Sequence, residues 1–309
     1  MKIKSALALF LLLRILQSGF GQVTEAEKTL KTQSADTAKG WKKGAVIGLN
    51  LSQTSLTNWA AGGQNSIAVN GIFSVFANYK KDKNAWDNSL DVGYGILKQQ
   101  NSVEKKTDDK IDLLSKYGRE AFKNFYYAAL INLKTQMTSG YSYPNDTTKI
   151  KISNRFAPAY IIGALGIDFK PNAYLSVFAA PVTGKVTIVN DQSLSDVGAF
   201  GVDKGKNTKS EFGGYLRMIY SKNDFKNEFM KNVSFTTKID LFSNYMKDPQ
   251  NIVVNWETLI ALKVNKYISV NINTQLIYDD KIKIADKNNE IKPRIQFKEL
   301  LGVGFSYKF

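Results

Sequence analysis

The chain has 309 residues, with Lys and Arg exceeding Asp and Glu by a formal +15, 37 aromatic residues, and neither Cys nor His. The missing residue types exclude disulfides, zinc sites built from Cys and His, and any catalysis that needs an imidazole base. The slightly negative mean hydropathy, −0.25, excludes a bundle of apolar membrane helices.

The first element is a short apolar stretch, Ala6 to Leu16, behind Lys2 and Lys4 and ahead of Ser18-Gly19-Phe20-Gly21. A basic start, a short apolar run and small residues at a cut site predict a secretory signal over residues 1–21. The run is too short to span a bilayer, which takes ~20 residues. Residues 22–40 are polar and without apolar period, a flexible lead-in on the periplasmic side. From Trp41 to the last residue, apolar and polar residues alternate in long runs, the signature of strands.

Twelve runs follow in chain order: Gly44–Ser55, Ser66–Lys80, Ala85–Gln99, Lys110–Tyr117, Phe125–Thr138, Ala159–Lys170, Tyr174–Val189, Ser210–Ser221, Val233–Tyr245, Ile252–Lys263, Ile268–Asp279 and Phe297–Phe309. Strands of soluble domains average about five or six residues. Runs twice that length, in series and without a helix between them, suit strands tilted across hydrocarbon, where ~9–11 residues are needed. The expected fold is all-β: an antiparallel transmembrane β-barrel of about twelve strands over residues 41–309. The breaks alternate short and long, as periplasmic turns and external loops do, which puts both termini in the periplasm of a bacterial outer membrane.

The faces of several runs sort cleanly. Ile67, Val69, Phe73, Val75 and Tyr79 oppose Ala68, Asn70, Ser74 and Asn78. Ile268, Val270, Ile272 and Leu276 oppose Ser269, Asn271, Asn273 and Gln275. The polar sides must face a wet or hydrogen-bonded lumen, because lipid would leave them without partners. Trp86, Tyr117, Phe125 and Tyr127 gather near the periplasmic ends as an interfacial girdle would. At the C-terminus, Leu301, Val303, Phe305, Tyr307 and Phe309 alternate with small or polar residues, and Phe305, Tyr307 and Phe309 form the expected insertion signal for the barrel-assembly machinery.

Phase along the strands turns Asp87, Asp91, Asp112, Asp168, Glu211, Asp240 and Glu257 inward, with Lys110, Lys116, Lys134, Arg217, Lys238 and Lys263. The lumen candidates are Asp91, Asp112, Lys116, Lys134, Arg217, Lys238, Asp240 and Glu257. A pore selective for one sign of charge lines itself with one sign; a balanced set can pair across the lumen and close it. The loop Ser52–Ser66 supplies three further candidates, Asn58, Trp59 and Gln64, as a constriction or ligand contact. The plainer alternative is a tight external turn with Trp59 in the girdle.

The run Gly44-Ala45-Val46-Ile47-Gly48-Leu49-Asn50-Leu51-Ser52-Gln53, followed by Thr57-Asn58-Trp59-Ala60-Ala61-Gly62-Gly63, resembles an uncharacterised Bacteroidota envelope family known as a domain of unknown function. The resemblance covers nearly the whole mature chain. It implies an outer-membrane barrel and supplies no reaction, ligand or catalytic residue.

The expected function is therefore a porin-like narrow channel for small-solute diffusion or uptake. The alternative is a non-conducting structural or accessory subunit of a larger outer-membrane complex. No enzymatic activity, cofactor or metal is expected: a Ser-His or His-Asp barrel hydrolase has no base here. Expected partners are outer-membrane lipid, the barrel-assembly machinery and other envelope proteins. Nucleic acid is not among them, because the Lys residues lie scattered in turns and loops such as Lys80-Lys81-Asp82-Lys83 rather than in a stripe.

Overall fold

Alternation of apolar and polar residues commits each long run to a strand with one oily and one polar face, and the only way to hide every strand edge in lipid is to close the sheet. The computed structural model does so. It describes residues 39–56, 64–100, 102–143, 148–172, 174–265, 268–285 and 290–308.

The strands are β1 (Gly40–Thr54), β2 (Ser66–Lys81), β3 (Asn84–Gln99), β4 (Lys105–Phe122), β5 (Phe125–Thr135), β6 (Gly140–Ser142), β7 (Ile150–Ser153), β8 (Ala159–Phe169), β9 (Leu175–Ile188), β10 (Thr208–Lys222), β11 (Val233–Asn244), β12 (Ile252–Lys263), β13 (Ile268–Tyr278), β14 (Lys283–Ala285), β15 (Ile291–Pro293) and β16 (Gln296–Lys308). Twelve of them close a ring in the order β1-β16-β13-β12-β11-β10-β9-β8-β5-β4-β3-β2. Every pairing in the ring is antiparallel. The seam joins β1 to β16, with Ile47 opposite Tyr307 and Leu49 opposite Phe305.

All twelve expected runs are barrel strands. β4 is longer than the alternation suggested, beginning at Lys105 rather than Lys110. Its upper part is polar on both faces, so the ladder continues where the hydropathy pattern does not. The loops hold structure that carries no strand-length signal: the hairpins β6–β7 and β14–β15, and a helix α1 (Gln192–Asp196) followed by a 3-10 turn at Ala199–Gly201.

One side of the ring is closed by tight turns at residues 82–83, 123–124 and 170–174, with a longer one at 223–232. The larger connections, 136–158, 189–207 and 279–295, lie together on the other side. The expected signal, residues 1–21, and most of the lead-in fall outside the described residues, as do Asn58, Trp59 and Phe309. Gln64 is described and exposed.

The outer surface decides what surrounds the ring. Leu49, Leu51, Ile67, Phe73, Leu113, Ile131, Leu165, Val182, Leu216, Trp256 and Leu301 all point outward and are exposed. Leaving such side chains in water forgoes roughly 1.5–3 kcal/mol each, and soluble monomers do not carry apolar surface that encircles them. The band therefore meets hydrocarbon. Aromatic residues mark its lower edge. Trp41 stacks near Tyr79 and Trp86, with ring centroids 5.3 and 5.8 Å apart, and Phe125 lies 4.6 Å from Phe122 and 4.5 Å from Phe169.

Polar atoms on the outer face are satisfied locally, as hydrocarbon demands. Trp86 Nε1 donates to Ser115 Oγ at 2.9 Å, which donates to Asn88 Oδ1 at 2.7 Å. Trp256 Nε1 donates to Thr237 Oγ1 at 2.7 Å.

Candidate functional site: the bridged lumen

Inside the barrel, two kinds of filling meet. An apolar cluster of Leu114, Leu130, Phe178, Tyr215 and Phe242 with Ala128, Ala164 and Ala180 occupies the sector from β4 to β11. Beside it, inward polar residues form ionic groups, three of which stack along the lumen.

The middle group crosses from wall to wall. Lys110 of β4 donates to Glu257 of β12 at 3.0 Å, and these two strands are diametrically opposite in the ring. Lys238 of β11 sits 3.1 Å from Glu257 and 3.5 Å from Asp112 of β4. Lys134 of β5 bonds Asp240 of β11 at 3.1 Å and lies 3.8 Å from Asp112 and 3.9 Å from Glu257. Arg217 completes the belt at 3.3 Å from Asp240, whose other hydrogen bond comes from the Tyr215 hydroxyl at 2.6 Å. Asn132 donates to Asp112 at 2.6 Å.

Four cations and three acids thus span the lumen in one connected network. Pairing is what makes such groups tolerable away from water, since an isolated buried charge costs several kcal/mol. Side chains from opposite walls touch at Lys110 and Glu257. Asp91, expected in the same set, lines the lumen just below and has no ion-pair partner among the described residues.

The lower group is smaller and drier. Lys116 pairs with Asp168 at 2.5 Å, and both side chains are almost fully buried. Asp168 also accepts from Ser176 at 2.6 Å and lies 3.5 Å from Lys170, which bonds Asp87 at 2.8 Å. The upper group centres on Glu211, reached by Lys281 at 2.6 Å, Lys185 at 3.4 Å and Lys209 at 3.6 Å, with Asn244 donating at 3.0 Å.

The belt separates two cavities. Below it is a space of about 110 Å³ between Asp87, Asp91, Lys116 and Asn273. Above it is a chamber of about 370 Å³, bounded by Lys110, Lys134, Asp240 and Glu257 at its floor and by Phe200 and Ile282 from the long loops.

Those loops fold over the mouth around a small core of Ala157, Val189, Leu194 and Val202. Asp191 holds them. It caps α1 by accepting from the Leu194 N–H at 3.2 Å, and it accepts from Lys151 Nζ and Asn154 Nδ2 at 2.7 Å each. Hydrogen bonds from Lys151 and Ser193 hold its carboxyl well below the usual carboxylate range.

Seven of the eight lumen candidates are joined in ionic contacts: six in the belt, and Lys116 in the lower group. The contributors that sequence phase missed are Lys170, Lys185, Lys209 and Lys281. Lys185 was hidden by a bulge. In β9, Ser176, Phe178 and Ala180 face inward, then Pro181 and Val182 both face out, after which Thr183, Lys185 and Thr187 face in. The ladder with β10 shifts at the same level. A proline inside a strand pattern is a bulge signal, and Pro181 was the available clue.

Three solved structures show how this chain compares with known barrels. An outer-membrane channel from Pseudomonas putida F1 aligns at 10% identity, covering 89% of this chain and 97% of its own, with a TM-score of 0.39. The translocator domain of the autotransporter NalP from Neisseria meningitidis aligns at 11% identity over 99% and 98%, with a TM-score of 0.38. OmpT, an outer membrane protein of Vibrio cholerae, aligns at 8% identity over 89% and 99%, with a TM-score of 0.31. No curated protein matches the chain. Residues 51–141, from the end of β1 into the β6 hairpin, match the model of a family described as a protein of unknown function, DUF3078.

Proposed function

We propose that the protein is an outer-membrane barrel that does not pass solutes by free diffusion, and that it serves as a structural or accessory component of the envelope. The observation that carries this reading is the Lys110–Glu257 contact at 3.0 Å between opposite strands. It is reinforced on either side by Lys238 and Lys134. Twelve strands enclose more space than the eight whose side chains just fill a barrel. Here the surplus is taken up by the apolar cluster and the belt together.

The outer chamber supports a second reading, in which the barrel is a narrow uptake passage and the belt is its closed gate. At about 370 Å³ the chamber falls within the range of small-molecule sites, and it is bounded on both sides. Both readings place the chain in the outer membrane, and neither assigns a reaction to it.

Swelling of proteoliposomes in isosmotic pentose separates either reading from a general porin. Wild-type barrel should leave the vesicles unswollen while a porin control swells them. Swelling at the rate of the control would overturn the closed-lumen reading. Extraction in mild detergent then discriminates between the two: an accessory subunit should bring stoichiometric envelope partners, and a self-sufficient uptake barrel should come alone.

A further inference from the structure

On the outer face near the periplasmic rim, the sheet carries an arginine that no acid answers. Arg119 of β4 is exposed, points away from the lumen and has no ion pair among the described residues. Its cross-strand neighbour is Tyr127, which is 65% exposed. The same transverse row continues through Ile167 of β8 to Ala179 of β9. One row further into the apolar band stands Tyr117. Arg119 thus lies within the aromatic girdle, at the level where lipid headgroups meet hydrocarbon.

Beside it the surface is hollow. The groove is shallow and open, and runs from Tyr117 and Arg119 past Tyr127 to Gly166, Ala179 and Pro181. The β8–β9 ladder shifts register between Leu165 and Ile167, and Gly166 packs directly on the Ala179 backbone, leaving no room for a side chain. Small residues line it beside the two tyrosines, and the Tyr117 hydroxyl donates to Asn84 Oδ1 at the rim at 2.9 Å.

The rim of this sector is basic. Lys81, Lys83 and Lys123 are exposed in or beside the two tight turns, and none of them forms an ion pair among the described residues. Basic residues at a membrane surface attract anionic lipid, each adding about a fivefold preference. An apolar groove that opens inward from a cationic rim matches a molecule with an anionic head and a hydrocarbon tail.

We propose that this groove is a binding site for one anionic glycerophospholipid, with its phosphate on Arg119 and an acyl chain along Gly166 and Ala179. The proposal rests on the membrane-spanning reading of the barrel. The two can fail separately: if the barrel does not insert, no heat-modifiable folded band appears in bilayers, whatever the lipid.

The test is native mass spectrometry of the folded barrel in detergent, with equal amounts of phosphatidylglycerol and phosphatidylethanolamine. The wild-type protein should retain one phosphatidylglycerol in preference. R119Q should reduce that preference about fivefold, and R119K should largely keep it. A129F, which fills the groove from an outward position that tolerates apolar bulk, should lose retention of both lipids while folding normally. Excess inorganic phosphate should leave the bound lipid in place. Equal retention of the two lipids by the wild type, an unchanged preference in R119Q, or displacement by free phosphate would each overturn the proposal.

Discussion

Single residues in this barrel are held by their partners, and the most consequential pair is Lys116 with Asp168. Both are almost fully buried and 2.5 Å apart, with Ser176 and Lys170 completing the carboxylate's partners. Removing one member leaves a charge in a dry interior, which typically costs 3–5 kcal/mol, whereas replacing both by apolar groups of like volume is near neutral. D168N should therefore lower the temperature at which the folded band is lost on heating, by more than the K116M/D168L double variant does. A single variant as heat-resistant as the wild type would show that the pair is not buried as described. Partners of this kind were only half legible in the sequence. Charges on regular strand stretches, Asp112, Lys134, Lys238 and Glu257, announce their side through period-2 phase. Lys185 does not, because the bulge at Pro181–Val182 inverts the phase between the start of the strand and its end. Lys281 lies in a loop, where no periodicity speaks for it.

Among elements, the strand glycines differ in what their missing side chain permits. At Gly213 a methyl group would collide with the Ser243 backbone of the neighbouring strand, while at Gly163 and Gly184 it would meet nothing within 4 Å. G213A should force β10 and β11 apart and cost about 1–3 kcal/mol, seen as a reduced yield of folded barrel on refolding. G163A should refold like the wild type; if the two variants behave alike, the close approach of β10 and β11 is wrong. The loop element α1 answers to pH instead. The Asp191 carboxyl is depressed below its ordinary value of 3.8 by Lys151 and Ser193, so its stabilising contribution is complete above that value and is lost as pH falls through the lower folded-state value. Protease resistance of residues 189–207 should persist down to about pH 4, and D191N should remove it at neutral pH. Cleavage of the wild-type loop at neutral pH would contradict the cap. The strands themselves were readable because hydropathy alternates along them. α1 and the two loop hairpins were not, being too short to show a period and stabilised by contacts that the chain makes only once the barrel has closed.

At the scale of the whole molecule, strand number, even count and alternating turn lengths follow from hydropathy and the physics of lipid, and they were legible from residue 41 onward. The state of the lumen was not, because strand phase says which charges face inward but not whether opposite walls approach closely enough for them to meet. In the folded chain they meet at Lys110 and Glu257, with Lys134, Lys238, Asp112, Asp240 and Arg217 joined to them. The apolar cluster fills the sector alongside, and the long loops border the chamber above. On the proposed function, the belt closes the barrel. Single-channel recording in a planar bilayer tests it most directly, on refolded protein whose insertion is verified by heat-modifiable mobility. The wild type should be silent, and K110A/K134A/K238A/E257A, which removes the cross-lumen contacts of the belt, should show discrete conductance steps. Steady stepwise conductance from the inserted wild-type barrel would contradict the account.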